Sequence, residues 1–154
     1  MKIFFDTEFY ENGRTIDLIS IGIVREDGEK YYAETSNGKY IAHRSSWLIK
    51  NVAPHLKGKD SIIPNLQIAK DIKWFVGDAP EFWAYYADYD WVVLCQLYGT
   101  MMDLPKGWPM FCMDIKQLCV MKGNPKLPEQ TGAEHNAIND ALWNKRCWEF
   151  LQNV

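Results

Sequence analysis

The sequence has 154 residues, 47% hydrophobic and 24% charged, the balance of an ordinary globular protein with enough chain to bury a core. A net charge of −3 argues against a high-affinity duplex-binding module. It leaves open an enzyme that grips only a strand end, because carboxylates that hold metal inflate the negative count. An acid as early as Asp6 interrupts any signal-peptide apolar region, and no apolar run approaches the ~20 residues of a membrane span. One cytoplasmic domain over residues 1–154, with no membrane partner, is therefore expected.

Lys2 to Phe9 is short, rich in Ile and Phe, and reads as a buried strand. Ile16 to Arg25 is a second strand, Asp27-Gly28 a hairpin turn, and Lys30 to Thr35 the returning third, giving an antiparallel meander. His43 to Leu56, with Trp47, Leu48 and Val52 as its apolar positions, predicts a short helix ended near Pro54. Asn65 to Val76 predicts another, with Leu66, Ala69 and Ile72 at helical spacing. Phe82 to Ala87 reads as a fourth strand and Asp90 to Tyr98 as a helix closed by Gly99. Met110 to Met113 reads as a short fifth strand, followed by a helix capped by Asp114. Lys122 to Glu134, with two prolines, is a loop expected to be mobile, and a last helix starts near Asn136. The order predicts an α/β (mixed α+β) sheet with helices packed on it. The four cysteines show neither a Cys-x-x-Cys pair nor zinc spacing, and three lie in apolar surroundings, where a cysteine acts as a small buried hydrophobe.

Acids fall where core residues belong. Asp6 and Glu8 leave the same face of the first strand, ~6.5–7 Å apart. Either that strand end is solvated, or the pair holds a cation, since burying adjacent carboxylates alone is costly. Asp90 shares a helical stripe with Val93, Leu94 and Leu97, so it is a helix cap or a site residue, whereas Asp88 lies off that stripe. Asp140 shares its stripe with Ala137, Trp143, Cys147 and Leu151, and His135 stands just before the same helix. Together the four acids form a cage suited to two hard cations, the arrangement used for phosphodiester hydrolysis. Histidine is the natural base beside such a cage.

The segments Phe4-Phe5-Asp6-Thr7-Glu8-Phe9, Tyr89-Asp90 and His135-x-Ala137-x-x-Asp140 resemble, in order and spacing, the three motifs of the DEDDh 3′–5′ exonucleases. Gly13 to Ile16, Ser20 to Gly22, Ser46-Trp47 and Leu94 to Gly99 extend the likeness to the adenylate-specific exoribonucleases of the mycobacterial RNase AS type and their phage-borne relatives. The resemblance implies a ribonuclease H-like fold and two magnesium or manganese ions on Asp6, Glu8, Asp90 and Asp140. It also implies His135 as general base, a homodimer, and single-stranded RNA 3′ ends rich in adenylate as substrate. In one departure, Tyr85 and Tyr86 stand where the wider family often has His-Asn. Phe9 and Tyr10, directly after the acids, are candidates to stack on the terminal base, and Trp108 is a weaker one. The same metal site serves DNA as well as RNA, and a non-catalytic metal-binding module is the competing class.

Overall fold

The computed structural model describes residues 1–154. Strands β1 (Lys2–Glu11), β2 (Ile16–Arg25) and β3 (Lys30–Thr35) form the expected antiparallel meander, with Gly28 at φ +94° in the Asp27-Gly28 turn. Three short strands, β4 (Ile62–Ile63), β5 (Glu81–Ala84) and β6 (Met113–Asp114), complete a six-stranded mixed sheet in the order β4-β3-β2-β1-β5-β6. β5 lies parallel to β1 and β6 parallel to β5, so the first strand is the centre of the sheet.

Six helices follow: α1 (Gly38–Ala42), α2 (Ser46–Asn51), α3 (Asn65–Val76), α4 (Asp88–Gln96), α5 (Ile115–Met121) and α6 (Ala137–Leu151). Strand alternation decides which of them each residue of β1 meets. Ile3 and Phe5 join Ile21, Ile68, Ile72 and Leu94 in the core under α3 and α4. Phe4 points the other way, into a second core with Val24, Ile138, Cys147 and Leu151 under α5 and α6. A third, small core of Ile19, Ile41, Ala42, Leu48 and Val52 holds the α1–α2 lobe. No helix is long and apolar enough to cross a membrane. All four cysteines are free, and Cys95, Cys119 and Cys147 are buried as small hydrophobes.

Several boundaries differ from the sequence expectation for local reasons. The helix expected over 43–56 is broken, because the Ser45 hydroxyl accepts a hydrogen bond from Leu48 N and starts α2 afresh, while Pro54 sits in a 3-10 turn over Ala53–His55. α1 begins at Gly38, where a Cβ would lie 2.7 Å from the Ile19 carbonyl, so only glycine permits this approach. The strand expected to reach Ala87 stops at Ala84, since Tyr86 turns left-handed at φ +55°. The strand expected over 110–113 contributes only Met113 and Asp114, and Asp114 then caps α5 as expected.

Candidate active site

The central strand delivers the first two acids. Asp6 pairs across the sheet with Gly22 and Glu8 with Ser20, on the face that carries Phe4, so both carboxylates point toward α6. α6 can come close because position 22 has no side chain. A Cβ on Gly22 would lie 2.3 Å from the backbone of Ala137, in the first turn of the helix. The buried Asn144 amide ties the same helix to β1 by donating to the Phe5 carbonyl at 2.9 Å. Asp140, one turn into α6, thereby reaches the strand acids. Ligand oxygens of Asp6, Glu8 and Asp140 all lie within 4.8 Å of one another.

Gly22→Ala is expected to push the start of α6 off the sheet, since backbone cannot yield as a flexible side chain does. Overpacking of this kind costs about 1–3 kcal/mol, and a shift of Asp140 by even ~1 Å costs about 10²-fold in rate. A thermal melt and a kcat measurement check both; unchanged kcat would show that the helix tolerates the methyl.

Asp140 is held on two sides. Asn136 N donates to its Oδ2 at 3.0 Å and the Gln130 amide donates to its Oδ1. Asn136 caps α6, its side chain accepting from Asn139 N, while its Nδ2 donates to the His55 carbonyl at 3.1 Å. His135, just before this cap, takes a left-handed backbone at φ +60° and turns its ring toward the cleft. The Trp47 indole packs edge-on against the imidazole, centroids 4.8 Å apart. The loop before His135 is bonded to α6: Trp143 Nε1 donates to the Pro128 carbonyl and Asn139 Nδ2 to that of Ala133, and Arg146 reaches the Thr131 hydroxyl.

Asp90 is buried, and it is not the cap of α4, because Ala87 occupies that position. One of its oxygens, Oδ1, accepts from Thr7 N at 2.7 Å and from the Thr7 hydroxyl at 2.6 Å. These bonds fix the carboxylate in the lining of the cleft, outside the group of three converging acids but near enough for its charge to act on Asp6. Asp88 is exposed.

The cluster is electrostatically unsatisfied. Burial, followed by the charges of Asp90, Glu8 and Asp140, holds the Asp6 carboxyl well above its ordinary range. Glu8 is pushed up to about 9 by burial and then by Asp140 and Asp90. Asp90 rises to about 7 through burial, against the lowering effect of the Thr7 hydrogen bonds. Burial also raises Asp140, opposed by its bonds from Gln130 and Asn136 and by nearby His135. Each folded-state value lies above its unfolded one, so the folded protein binds protons that the unfolded chain releases. Without metal, stability should therefore fall as pH rises from about 5 to about 9. Magnesium should raise the melting temperature more at the alkaline end than at the acid end, by about 2–4 °C per kcal/mol of binding energy. A metal-free melting temperature that climbs with pH over this range would remove the cluster's charge as its cause.

The cluster lies at the bottom of a cleft of about 480 Å³ that also takes in Asp90 and His135, so all five chemistry-bearing residues expected from the sequence share one cavity. The family described as the 3′–5′ exoribonuclease Rv2179c-like domain matches residues 1–152. The chain belongs to this family. It is similar to the 3′–5′ exoribonuclease Rv2179c of Mycobacterium tuberculosis strain H37Rv and to its counterpart in strain CDC 1551. Each is 40% identical over 161 residues, covering 100% of this chain and 95% of the relative. Among solved structures, exonuclease I superposes at a TM-score of 0.71 with 12% identity, over 99% of this chain and 40% of its own. A chain from the structure of the yeast NOT1 MIF4G domain with CAF1 gives 0.54, also at 12% identity, over 98% and 80%. These two likenesses concern the fold, which is ribonuclease H-like as the motifs implied.

In this Rv2179c-like domain the cleft is walled by aromatics. Phe9 stands against Tyr89 with ring centroids 5.8 Å apart, and Tyr86 against Tyr85 at 4.7 Å. Tyr85 and Tyr86 thus form part of the cleft wall. Of the base-stacking candidates, only Phe9 is brought to the cleft. Tyr10 follows a bulge between Glu8 and Phe9 and packs on the α1–α2 core with Arg44 over its ring. Trp108 is buried, its indole N–H donating to the Gly77 carbonyl. Trp47, one of the apolar positions that predict the helix, is half-exposed and lines the cleft. Its signal was available: Leu48 and Val52 define the buried side of that segment, and Trp47 lies off it. Thr7 and Gln130 carried no signal, because only the fold brings them to Asp90 and Asp140.

Proposed function

We propose that this exoribonuclease domain, residues 1–154 acting as one unit, removes nucleoside 5′-monophosphates from the 3′ end of single-stranded RNA. Two magnesium or manganese ions would be held by Asp6, Glu8, Asp90 and Asp140. The observation that carries this reading is the convergence of Asp6, Glu8 and Asp140 within 4.8 Å, with burial and mutual repulsion unrelieved by any cationic side chain among them. An all-oxygen, highly charged donor set fits hard divalent cations. Bound there, such ions supply Lewis-acid polarisation of the phosphodiester and of the attacking water.

The chain's own residues do the rest. Thr7 holds one Asp90 oxygen, leaving the other available to the cleft. Gln130 and Asn136 orient Asp140. His135, steadied by Trp47, accepts the proton of the attacking water. Phe9 and Tyr89 offer a stacking wall for the terminal base, and the adenylate preference implied by the motif resemblance belongs to the same proposal. A cytoplasmic homodimer belongs to the same proposal. Exposed Val92, Met101, Met110 and Phe111 line one groove near the β6 edge, an apolar face on which a second copy would pack.

End-labelled RNA and DNA oligomers of matched sequence, incubated with and without chelator, test the reading. Stepwise loss of 3′ nucleotides from RNA, abolished by chelator, is expected. Internal cuts in a circular strand would contradict exonucleolysis, and equal rates on DNA would shift the substrate class.

A further inference from the structure

The charge of the chain is unevenly placed. Residues 36–59 contain Lys39, Arg44, Lys50, Lys57 and Lys59 with no Asp or Glu, while the other 130 residues carry 12 basic and 20 acidic side chains. This segment forms α1, α2 and the turns after them, and all five basic side chains are exposed. Of the five, only Arg44 is paired with an acid, Asp17. Lys57 stands 4.3 Å from the centre of the Tyr32 ring, which places one of the unpaired charges.

The lobe adjoins the cleft at two points, the Trp47–His135 contact and the bond from Asn136 to the His55 carbonyl. Lys50 follows Trp47 by three positions on α2 and so lies on the same side of that helix. Tyr40 and Trp47, both more than half exposed, interleave aromatic faces with the lysines. An acidic cleft cannot by itself attract a polyanion, so grip on the strand has to come from a neighbouring positive surface. Aromatic faces set among unpaired cations are the features that hold single-stranded nucleic acid without reading its sequence.

Resting on the exoribonuclease reading above, we propose that the α1–α2 lobe is the track for the RNA strand upstream of its 3′ end. Lys39, Lys50, Lys57 and Lys59 neutralise its phosphates and Tyr40 offers a stacking face. The terminal nucleotide lies in the cleft; the preceding ones cross the lobe.

The test compares wild type with the variant Lys39→Gln, Lys50→Gln, Lys57→Gln, Lys59→Gln, whose exposed sites leave the core untouched. Binding of a labelled single-stranded RNA of about 15 nucleotides is followed by anisotropy in chelator, where no hydrolysis is required. For single strands log K falls with log salt by about 0.7 per phosphate contact. The variant should therefore show a slope shallower by about 1–3 between about 50 and about 200 mM salt, and weaker binding at the low-salt end. With magnesium present, kcat/KM on the long RNA should drop by the same factor at low salt, while hydrolysis of a dinucleotide stays unchanged. An unaltered salt slope, or an equal loss on the dinucleotide, would overturn the track. Failure of wild type to hydrolyse either substrate would count against the enzymatic reading, and the anisotropy result would still judge the lobe.

Discussion

Asp6→Asn is expected to abolish turnover while leaving the metal-free protein folded and, at alkaline pH, more heat-stable than wild type. Asp140 is restrained by Gln130 and Asn136 and Asp90 by Thr7, whereas every influence on Asp6 opposes its charge: burial first, then Asp90, Glu8 and Asp140. Replacing that carboxylate by an amide of the same shape removes repulsion from the folded state. The variant lacks a carboxyl that burial, Asp90, Glu8 and Asp140 hold well above its ordinary range, so its stability should decline less between about pH 5 and about pH 9. Catalysis should suffer in proportion to the lost cation site. Several kcal/mol of transition-state stabilisation corresponds to about 10³-fold or more in kcat. Asp140→Ala should lose activity equally but gain less stability, because it leaves Asn136 N and the Gln130 amide without their acceptor. Near-normal kcat in either variant would show that the acid cluster is not where the chemistry happens. A melting temperature of Asp6→Asn below wild type at high pH would show that the cluster is not repulsive.

His135→Ala should lower kcat by about 10²–10⁴ and change magnesium binding little, as measured by titration calorimetry. The prediction rests on placement. The imidazole lines the same cavity as the acids, on a left-handed backbone that a histidine adopts only when its surroundings hold it there, and it lies against Trp47 rather than inside the three-acid cluster. KM for RNA should stay within a few-fold, since a residue used only for proton transfer contributes to the transition state and not to ground-state binding. If His135→Ala keeps the wild-type kcat, the histidine is structural. If it weakens magnesium binding as strongly as Asp6→Asn, it belongs to the donor set instead.

How much of this was legible in the sequence depended on whether the cause was local. The meander was legible because alternation and an Asp-Gly turn are properties of neighbouring residues, and Asp6 and Glu8 had to share a face once their strand was recognised. Asp140 stood out because a carboxylate on an apolar helical stripe conflicts with burial unless something compensates it. Asp90 was ambiguous, as a cap and a site acid look alike at the start of a helix; the fold puts Ala87 at the cap and bonds Asp90 to Thr7, which is 83 residues away. Trp47 shows the opposite case: it counted among the apolar positions of its helix, while the buried side of that helix belongs to Leu48 and Val52.

By itself, then, the sequence singled out the candidate acids and histidine, the strand and helix that carry them and the family motif that orders them, because each is a matter of residue type at short spacing. The tertiary structure decided everything that required two distant segments to meet. Gly22 admits the α6 backbone where a methyl group would collide, and Asn144 ties that helix to β1. Trp47 crosses from the α1–α2 lobe to His135. Phe9 meets Tyr89 at the cleft, whereas Tyr10 meets the α1–α2 core. Contacts of this kind depend on shape and approach distance between chain segments, which no local pattern of residues encodes.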